Sequence, residues 1–252
     1  MTDRQTGILE LVELHRSMSV SALSRQFAVS EETIRRDIKL LESAGRVEKI
    51  HGGVRLPATQ LEPPYWQRVN RSGKVKKIIG LKAADMVEKG MTIFIDSGTT
   101  SLWLAKALTT TKNLTVITNS LEVAGEIAGK PNCKLVVVGG VIDMDYRAAF
   151  GIEAIMQAQR YVPDLLFLSA GGICANHGWM DFNSDEADFK RALLLLAKHS
   201  VVIADSSKFD SAGTVQFASL AQIDTLVCEQ MPGDSLKSAL NEANVTLIQA
   251  DN

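Results

Sequence analysis

Three cysteines, four histidines, three tryptophans and six prolines are all that 252 residues hold of these types, and each scarcity excludes something. Cys133, Cys174 and Cys228 are odd in number and far apart. With no Cys-x-x-Cys pair and no histidine at ligand spacing, they indicate neither a disulfide framework nor a structural zinc, and read as small buried side chains. The histidines are equally scattered; only His51, beside Gly52 and Gly53, has a positional reason for a functional role. No apolar run approaches the ~18–20 residues that span a bilayer, and the first ten residues are polar. Neither a membrane partner nor a signal peptide is expected, and the protein is placed in the cytoplasm. Nothing in the sequence calls for a metal or another cofactor.

An excess of charge of one sign is also missing. The chain carries 27 Lys+Arg against 29 Asp+Glu, a net of -2. Residues 1–57 hold 9 Lys+Arg against 8 Asp+Glu, a net of +1, and the remainder 18 against 21, a net of -3. Nucleic-acid binding here has to rest on local placement of cations, since no bulk basic domain exists. At 46% hydrophobic and 22% charged, the composition is that of an ordinary globular chain, long enough for two domains.

The stretch 30–45 is organised as a helix with two unlike faces. Ser30 is a cap, Glu31, Glu32 and Thr33 occupy the first turn, where the helix dipole favours carboxylates, and Gly45 supplies the stop. At about 100° per residue, Ile34, Ile38 and Leu41 share one face, while Glu32, Arg35, Arg36 and Lys39 share the other. Just upstream, Val20, Leu23 and Phe27 space a second amphipathic helix, and Ala28-Val29 leaves room only for a tight turn. This is a helix-turn-helix layout. A first helix is expected over 7–16, with Ile8, Leu11, Val12 and His15 on one face. After the reading helix, Val47 alternates with Lys49 before Gly52-Gly53-Val54, the pattern of a short hairpin with glycines free to take positive φ. Such a wing brings Arg46, Lys49 and Arg55 within reach of phosphates.

Thr33-Ile34-Arg35-Arg36-Asp37 followed by His51-Gly52-Gly53 resembles the signature of the DeoR family of bacterial transcriptional regulators, and the likeness extends over nearly the whole chain. It implies an N-terminal winged helix-turn-helix on operator DNA, contacted by Ser30, Glu32, Thr33, Arg35, Arg36, Lys39, Lys49, His51, Gly52 and Gly53. It also implies a larger C-terminal domain, similar in fold to pentose-phosphate isomerases, that senses a phosphorylated sugar or related metabolite, most often as a repressor. Lys49 stands where the family usually has Arg, and a lysine cannot make a bidentate contact. Val54 stands where Ala is usual.

Residues 1–57 are thus read as the DNA-binding domain, 58–73 as a linker and 74–252 as an α/β sensing domain. The stretch 56–73 contains three of the six prolines, Pro57, Pro63 and Pro64, and shows no helical periodicity, which places the boundary near 57–64. Tyr65 and Trp66 are expected to pack on one of the domains, and Arg68 and Lys74 match positions of the family's linker. Beyond it, short apolar runs at 91–95, 114–117, 134–138, 164–169, 200–204, 224–228 and 245–248 alternate with helical segments at 74–87, 100–108, 120–128, 151–160, 184–198 and 235–242. Buried β-branched runs alternating with helices mean a mostly parallel sheet covered on both sides.

In an open parallel sheet, ligands bind beyond the carboxyl ends of the strands. The first five runs end in Asp96-Ser97-Gly98-Thr99-Thr100, Thr118-Asn119-Ser120, Gly139-Gly140, Ala170-Gly171-Gly172 and Asp205-Ser206-Ser207-Lys208, all suited to a small polar ligand. The last two end in Glu229 and Gln249 and are expected to lie outside the site. Ser97-Gly98-Thr99-Thr100, opening a helix, has the makings of a phosphate cradle with Lys208 as compensating cation. Asp96 would repel phosphate, so it either accepts from sugar hydroxyls or orients the loop.

The resemblance carries Asp96, Ser97, Gly98, Thr99, Thr100, Asn119, Gly139, Gly140 and Lys208 into an effector site, which Gly171 and Gly172 join by their place at a strand end. Glu186, with Lys190 one helical turn later, reads on spacing alone as an i,i+4 ion pair; the resemblance makes it a ligand contact. The family often has an Arg shortly after the paired glycines. Here Asp143 and Asp145 come first and Arg147 later, so either Arg147 replaces that Arg through a shifted loop or the effector is less anionic. A homo-oligomer, dimeric if the operator is palindromic, is expected. The competing reading is a sugar-phosphate isomerase with Asp96, Glu186 and Lys208 moving protons beside a carbonyl. A complete winged helix-turn-helix weighs against it.

Overall fold

The computed structural model describes residues 2–15, 17–44, 46–50, 52–55, 65–108 and 113–251. The chain divides into two compact units, Met1–Leu61 and Glu62–Asn252. The expected stop at Gly45, His51 and the three linker prolines lie outside the described residues, as does the side chain of His15.

The first unit runs α1 (Asp3–His15), β1 (Ser17–Ser19), α2 (Val20–Phe27), α3 (Glu31–Ser43), β2 (Glu48–Ile50) and β3 (Gly53–Arg55). Both helices of the motif start at serine caps. Ser19 Oγ accepts from the Ala22 amide at 3.1 Å and Ser30 Oγ from the Thr33 amide at 3.2 Å. Ala28 makes the turn between them in the left-handed region, φ 52°. The apolar stripes of α2 and α3 meet Ile8, Leu9 and Val12 of α1 and Val47 and Val54 of the hairpin in one core. Each such side chain, fully buried, contributes about 1.5–3 kcal/mol. The hairpin has a third strand that the sequence did not reveal: β1 pairs with β3, in the order β1-β3-β2. Of the two wing glycines only Gly52 has a positive φ, 73°. Gly53 is needed for closeness instead, because a Cβ there would sit 2.5 Å from the Met18 carbonyl oxygen on β1.

The second unit begins with α4 (Tyr65–Asn70) and α5 (Gly73–Ala84), and continues through β4 (Thr92–Ile95), α6 (Thr99–Ala107), β5 (Leu114–Thr118), α7 (Leu121–Ala128) and β6 (Cys133–Val137). A small hairpin, β7 (Ile142–Asp143) and β8 (Ala148–Ala149), precedes α8 (Gly151–Ala158), β9 (Leu165–Leu168), β10 (Gly172–Cys174), β11 (Gly178–Asp181) and α9 (Ser184–Leu194). The chain closes with β12 (Ser200–Ile203), β13 (Val215–Ala218), β14 (Thr225–Cys228), α10 (Asp234–Glu242) and β15 (Thr246–Gln249). The seven expected runs form one parallel sheet in the order β15-β14-β12-β9-β4-β5-β6. Alternate residues of each strand enter different cores, Phe94, Leu166 and Val202 in one and Ile93, Phe167 and Val201 in the other. Burial on both faces is what a parallel sheet demands.

Three elements differ from expectation. β10, β11 and β13 form an antiparallel sheet of their own. The supposed linker contains α4, in which Tyr65 is 3% exposed but Trp66 67%, so only the first of the two aromatics packs. Cys228 is buried, its thiol pushed up to about 12 by burial and by Glu229, whereas Cys133 and Cys174 are half-buried. Among the described residues no helix is long and apolar enough to cross a membrane.

Candidate functional site

Helix α3 turns Ile34, Ile38 and Leu41 inward and leaves Glu32, Arg35, Arg36 and Lys39 exposed, as its two-faced sequence requires. Asp37, inside the Arg35-Arg36-Asp37 motif, is buried. Its carboxylate accepts from Arg4 Nε at 2.6 Å and Gln5 Nε2 at 3.2 Å, which fixes the reading helix to α1. The cations divide unequally. Arg35 is held by Glu31 at 2.6 Å on its own helix, and Arg55 is engaged by both oxygens of Glu48 across the hairpin, at 2.9 and 3.1 Å. Arg36, Lys39 and Lys49 are exposed beside them.

In the second unit, the five strands with polar ends, β12, β9, β4, β5 and β6, are consecutive neighbours, and β14 and β15 lie to one side. The chain order reverses between β4 and β9, and such a switch point is where an open α/β sheet has its crevice. Asp96, at the end of β4, fastens that point together. One carboxylate oxygen accepts from the Gly98 amide at 3.0 Å and from the Ser101 hydroxyl; the other accepts from the Ser169 amide at 2.6 Å and its hydroxyl at 2.8 Å. Asp96 therefore orients the loop. Gly98 belongs there because a side chain would collide with Ser169 across the gap. It is also the N-cap of α6 and brings no side-chain acceptor to the amides of Ser97-Gly98-Thr99-Thr100, a buried loop at the positive end of that helix.

Lys190 forms the expected i,i+4 pair with Glu186 but is only 1% exposed. Its ammonium lies 2.9 Å from Asp181, 2.9 Å from Glu186 and 3.6 Å from Asp96, and donates to the Ser169 carbonyl at 2.9 Å. Burial alone would lower its pKa, but three carboxylates outweigh burial and raise it, so the ammonium stays charged. The floor of the crevice thus holds three acidic groups around one cation. Lys208, with Asp205, Arg68 and Arg71, acts on the buried Lys76, whose pKa falls to about 8 chiefly through desolvation. Burial would raise the Asp205 pKa; Lys208, hydrogen bonds from Ser207 and Lys76 lower it. The end of β12 is accordingly a cationic rim beside an anionic floor.

The remaining expected residues are placed as follows. Asn119 is 1% exposed; its Nδ2 donates to the Ala149 carbonyl at 2.9 Å, while Oδ1 has no hydrogen-bond partner among the described residues. Gly139 engages Gln157 with both its amide and its carbonyl, at 3.2 and 3.1 Å, and Gly140 faces Glu153. Arg147 lies in the left-handed region, φ 56°, and is paired with Glu122. Gly171 and Gly172 are glycines for packing: a Cβ would meet Phe182 at 2.9 Å in the first case and collide with the Ser211 carbonyl in the second. Glu229, placed outside the site by sequence, supports it, accepting from the Ser206 amide at 3.1 Å and the Ser206 hydroxyl at 2.6 Å. Lys76, Asp181 and Lys190 were not foreseen as site residues. Their sequence signal was position: Lys76 lies in the first turn of α5, Asp181 is the last residue of β11 and Lys190 is one turn on from Glu186 in α9.

The model of the DeoR C terminal sensor domain matches residues 72–230, and that of the DeoR-like helix-turn-helix domain matches residues 4–60. The chain is 32% identical over 247 residues to the HTH-type transcriptional regulator GolR of Listeria innocua, covering 96% of each. It is 29% identical over 246 residues to the Glycerol-3-phosphate regulon repressor of Escherichia coli, covering 98% of each. Among solved structures, ribose 5-phosphate isomerase from Plasmodium falciparum is similar at a TM-score of 0.41 and 16% identity, over 56% of this chain and 55% of that one. With one match spanning the winged motif and the other the sheet with its five polar strand ends, the chain belongs to the DeoR family of helix-turn-helix regulators.

Proposed function

We propose that this protein is a cytoplasmic transcriptional regulator, a repressor of carbohydrate-metabolism genes, whose affinity for operator DNA is set by a phosphorylated sugar bound at the carboxyl edge of its parallel sheet. The observation that carries the reading is the division of charge at that edge. An anionic floor of Asp181 and Glu186 around Lys190, with Asp96 committed to the loop beside them, suits hydroxyl donors, and a cationic rim of Lys76, Arg68, Arg71 and Lys208 suits a phosphate dianion. A sugar phosphate carries both chemistries a few bonds apart. The helix-start loop Ser97–Thr100 offers further amides, and Gly139, Gly140 and Arg147 close the far side. Glu186 acts there through Lys190. The winged unit supplies the output, with Arg36, Lys39 and Lys49 on DNA, and two copies of the chain match a two-fold operator.

An effector changes DNA affinity only through a difference in its own affinity for the two states, typically about 1–3 kcal/mol. The isomerase reading is weakened, since the lysine that lies against Asp96 and Glu186 is Lys190, held charged by three carboxylates. Two variants test the proposal. Arg36→Ala weakens operator binding, and Lys208→Ala abolishes the response to the effector. An unchanged effector response in Lys208→Ala would remove the rim from the site.

A further inference from the structure

We propose that α4, the helix leading from the DNA-binding unit into the sensor, roofs the effector site, and that Tyr65 and Arg68 on it contact the bound sugar phosphate. The proposal rests on the sugar-phosphate reading and adds two ligand contacts.

The anchorage of α4 carries it. At one end the Tyr65 amide donates to the Asp145 carbonyl at 2.8 Å, and the Arg68 guanidinium lies 5.4 Å from the ring centre of Tyr146; both partners are in the hairpin that follows β6. At the other end the Arg68 carbonyl accepts from Lys76 Nζ at 2.8 Å, and Lys76 faces Asp205 and Lys208 at the end of β12. In the sheet, β6 and β12 stand on opposite sides of β9 and β4, the two strands that frame the switch point. A six-residue helix fastened to both crosses over the crevice.

A second observation points to a ligand. The Tyr65 hydroxyl is buried and has no hydrogen-bond partner among the described residues, and Oδ1 of Asn119, at the end of β5, is in the same condition. Burial and the charge of Glu122 keep the phenol protonated, with Arg68, Arg147 and Asp96 also acting on it. A phenol that can donate or accept and an amide oxygen that can only accept are groups that sugar hydroxyls satisfy. Arg68 adds a planar cation able to take two phosphate oxygens. Nine residues separate Tyr65 from Arg55, the last residue of the wing strand β3.

Hydrogen exchange of the full-length protein tests this, with ribose 5-phosphate, glucose 6-phosphate and glycerol 3-phosphate as probes and the free sugars, glycerol and inorganic phosphate as controls. An ester that protects the loops 96–100 and 205–208 is expected to slow exchange at 65–72 as well. Arg68→Ala should weaken that ester roughly tenfold, with partial rescue by Arg68→Lys. Tyr65→Phe, which keeps the ring and its packing, should weaken it about threefold without lowering the melting temperature, a pattern that a purely structural hydroxyl would not give. Protection of both loops with unchanged exchange at 65–72, and both variants within about twofold of wild type, overturns the roof and leaves the effector site standing. Failure of every ester to protect either loop overturns the sugar-phosphate reading and the roof with it.

Discussion

Replacing Lys190 by methionine removes one charge and little volume from the centre of the sensor. The methionine still packs against Phe217, over whose ring the ammonium lies at 5.1 Å. What it cannot do is compensate Asp96, Asp181 and Glu186, all within 3.6 Å of the ammonium in the wild type. Removing one member of a buried ion pair costs about 3–5 kcal/mol, and three carboxylates on one lysine place this case in the upper half of that range. For a unit of this size each kcal/mol lowers the melting temperature by about 2–4 °C, so a fall of about 10 °C or more is expected. Urea unfolding followed by tryptophan fluorescence is the assay, because Trp66, Trp103 and Trp179 all lie in the sensor unit and none in the DNA-binding unit. Adding Asp181→Asn to Lys190→Met removes one of the uncompensated charges and should recover part of the loss. A cost under about 1 kcal/mol, ordinary for a surface change, or no recovery in the double variant, would refute the description of a charged floor held by one lysine.

Three further outcomes follow from the same geometry. Gly53→Ala brings a Cβ to 2.5 Å from the Met18 carbonyl and should separate β1 from β3 and weaken DNA binding, whereas Gly52→Ala costs only the left-handed penalty of about 1–2 kcal/mol; operator titrations beside thermal melts distinguish them. Lys76 binds its proton less tightly folded, near 8, than unfolded, near 10.5, so the unfolded chain holds the extra proton between these pH values and stability rises with pH across that window, by up to about 3 kcal/mol. Over the same window affinity for a phosphate ester should fall as the ammonium loses its charge, and Lys76→Met should flatten the stability profile and raise stability at neutral pH. Asp37→Ala breaks the contacts to Arg4 and Gln5 and should destabilise the first unit by about 1–3 kcal/mol, seen as faster hydrogen exchange in α1 and α3.

The sheet and the two DNA-motif helices were readable because their signals are local and repetitive. Ile93, Phe94 and Ile95 or Val201, Val202 and Ile203 are continuous apolar runs, and such runs are what a strand buried on both faces needs. The antiparallel sheet of Gly172–Cys174, Gly178–Asp181 and Val215–Ala218 was missed because its strands are broken by glycine or polar residues and show no continuous apolar run. Helix α4 was missed because prolines just before it mask a six-residue segment too short to show a period. At the site, position beyond a strand end was readable and charge pairing was not. An i,i+4 Glu186–Lys190 spacing looks the same on a solvated face as in a core, and only the fold brings Asp96 and Asp181 to the same ammonium. Lys76 stands in the run Lys74-Val75-Lys76-Lys77, which reads as solvated, yet it is 5% exposed because α5 starts against the end of β12. Gly171 and Gly172 have a packing reason that the sequence did not show. Glycines at a strand end suggested ligand approach, and their neighbours turned out to be Phe182 and Ser211.

The central claim, that one chain reads DNA and a phosphorylated sugar, is tested most directly by fluorescence anisotropy of the full-length protein on DNA from upstream of its own gene. Salt is varied, and sugar phosphates are added beside the corresponding free sugars. The account predicts salt-dependent, sequence-specific binding whose affinity is changed by at least one phosphate ester and not by its free sugar. Specific binding that no ester alters, or that a free sugar alters equally, would contradict it.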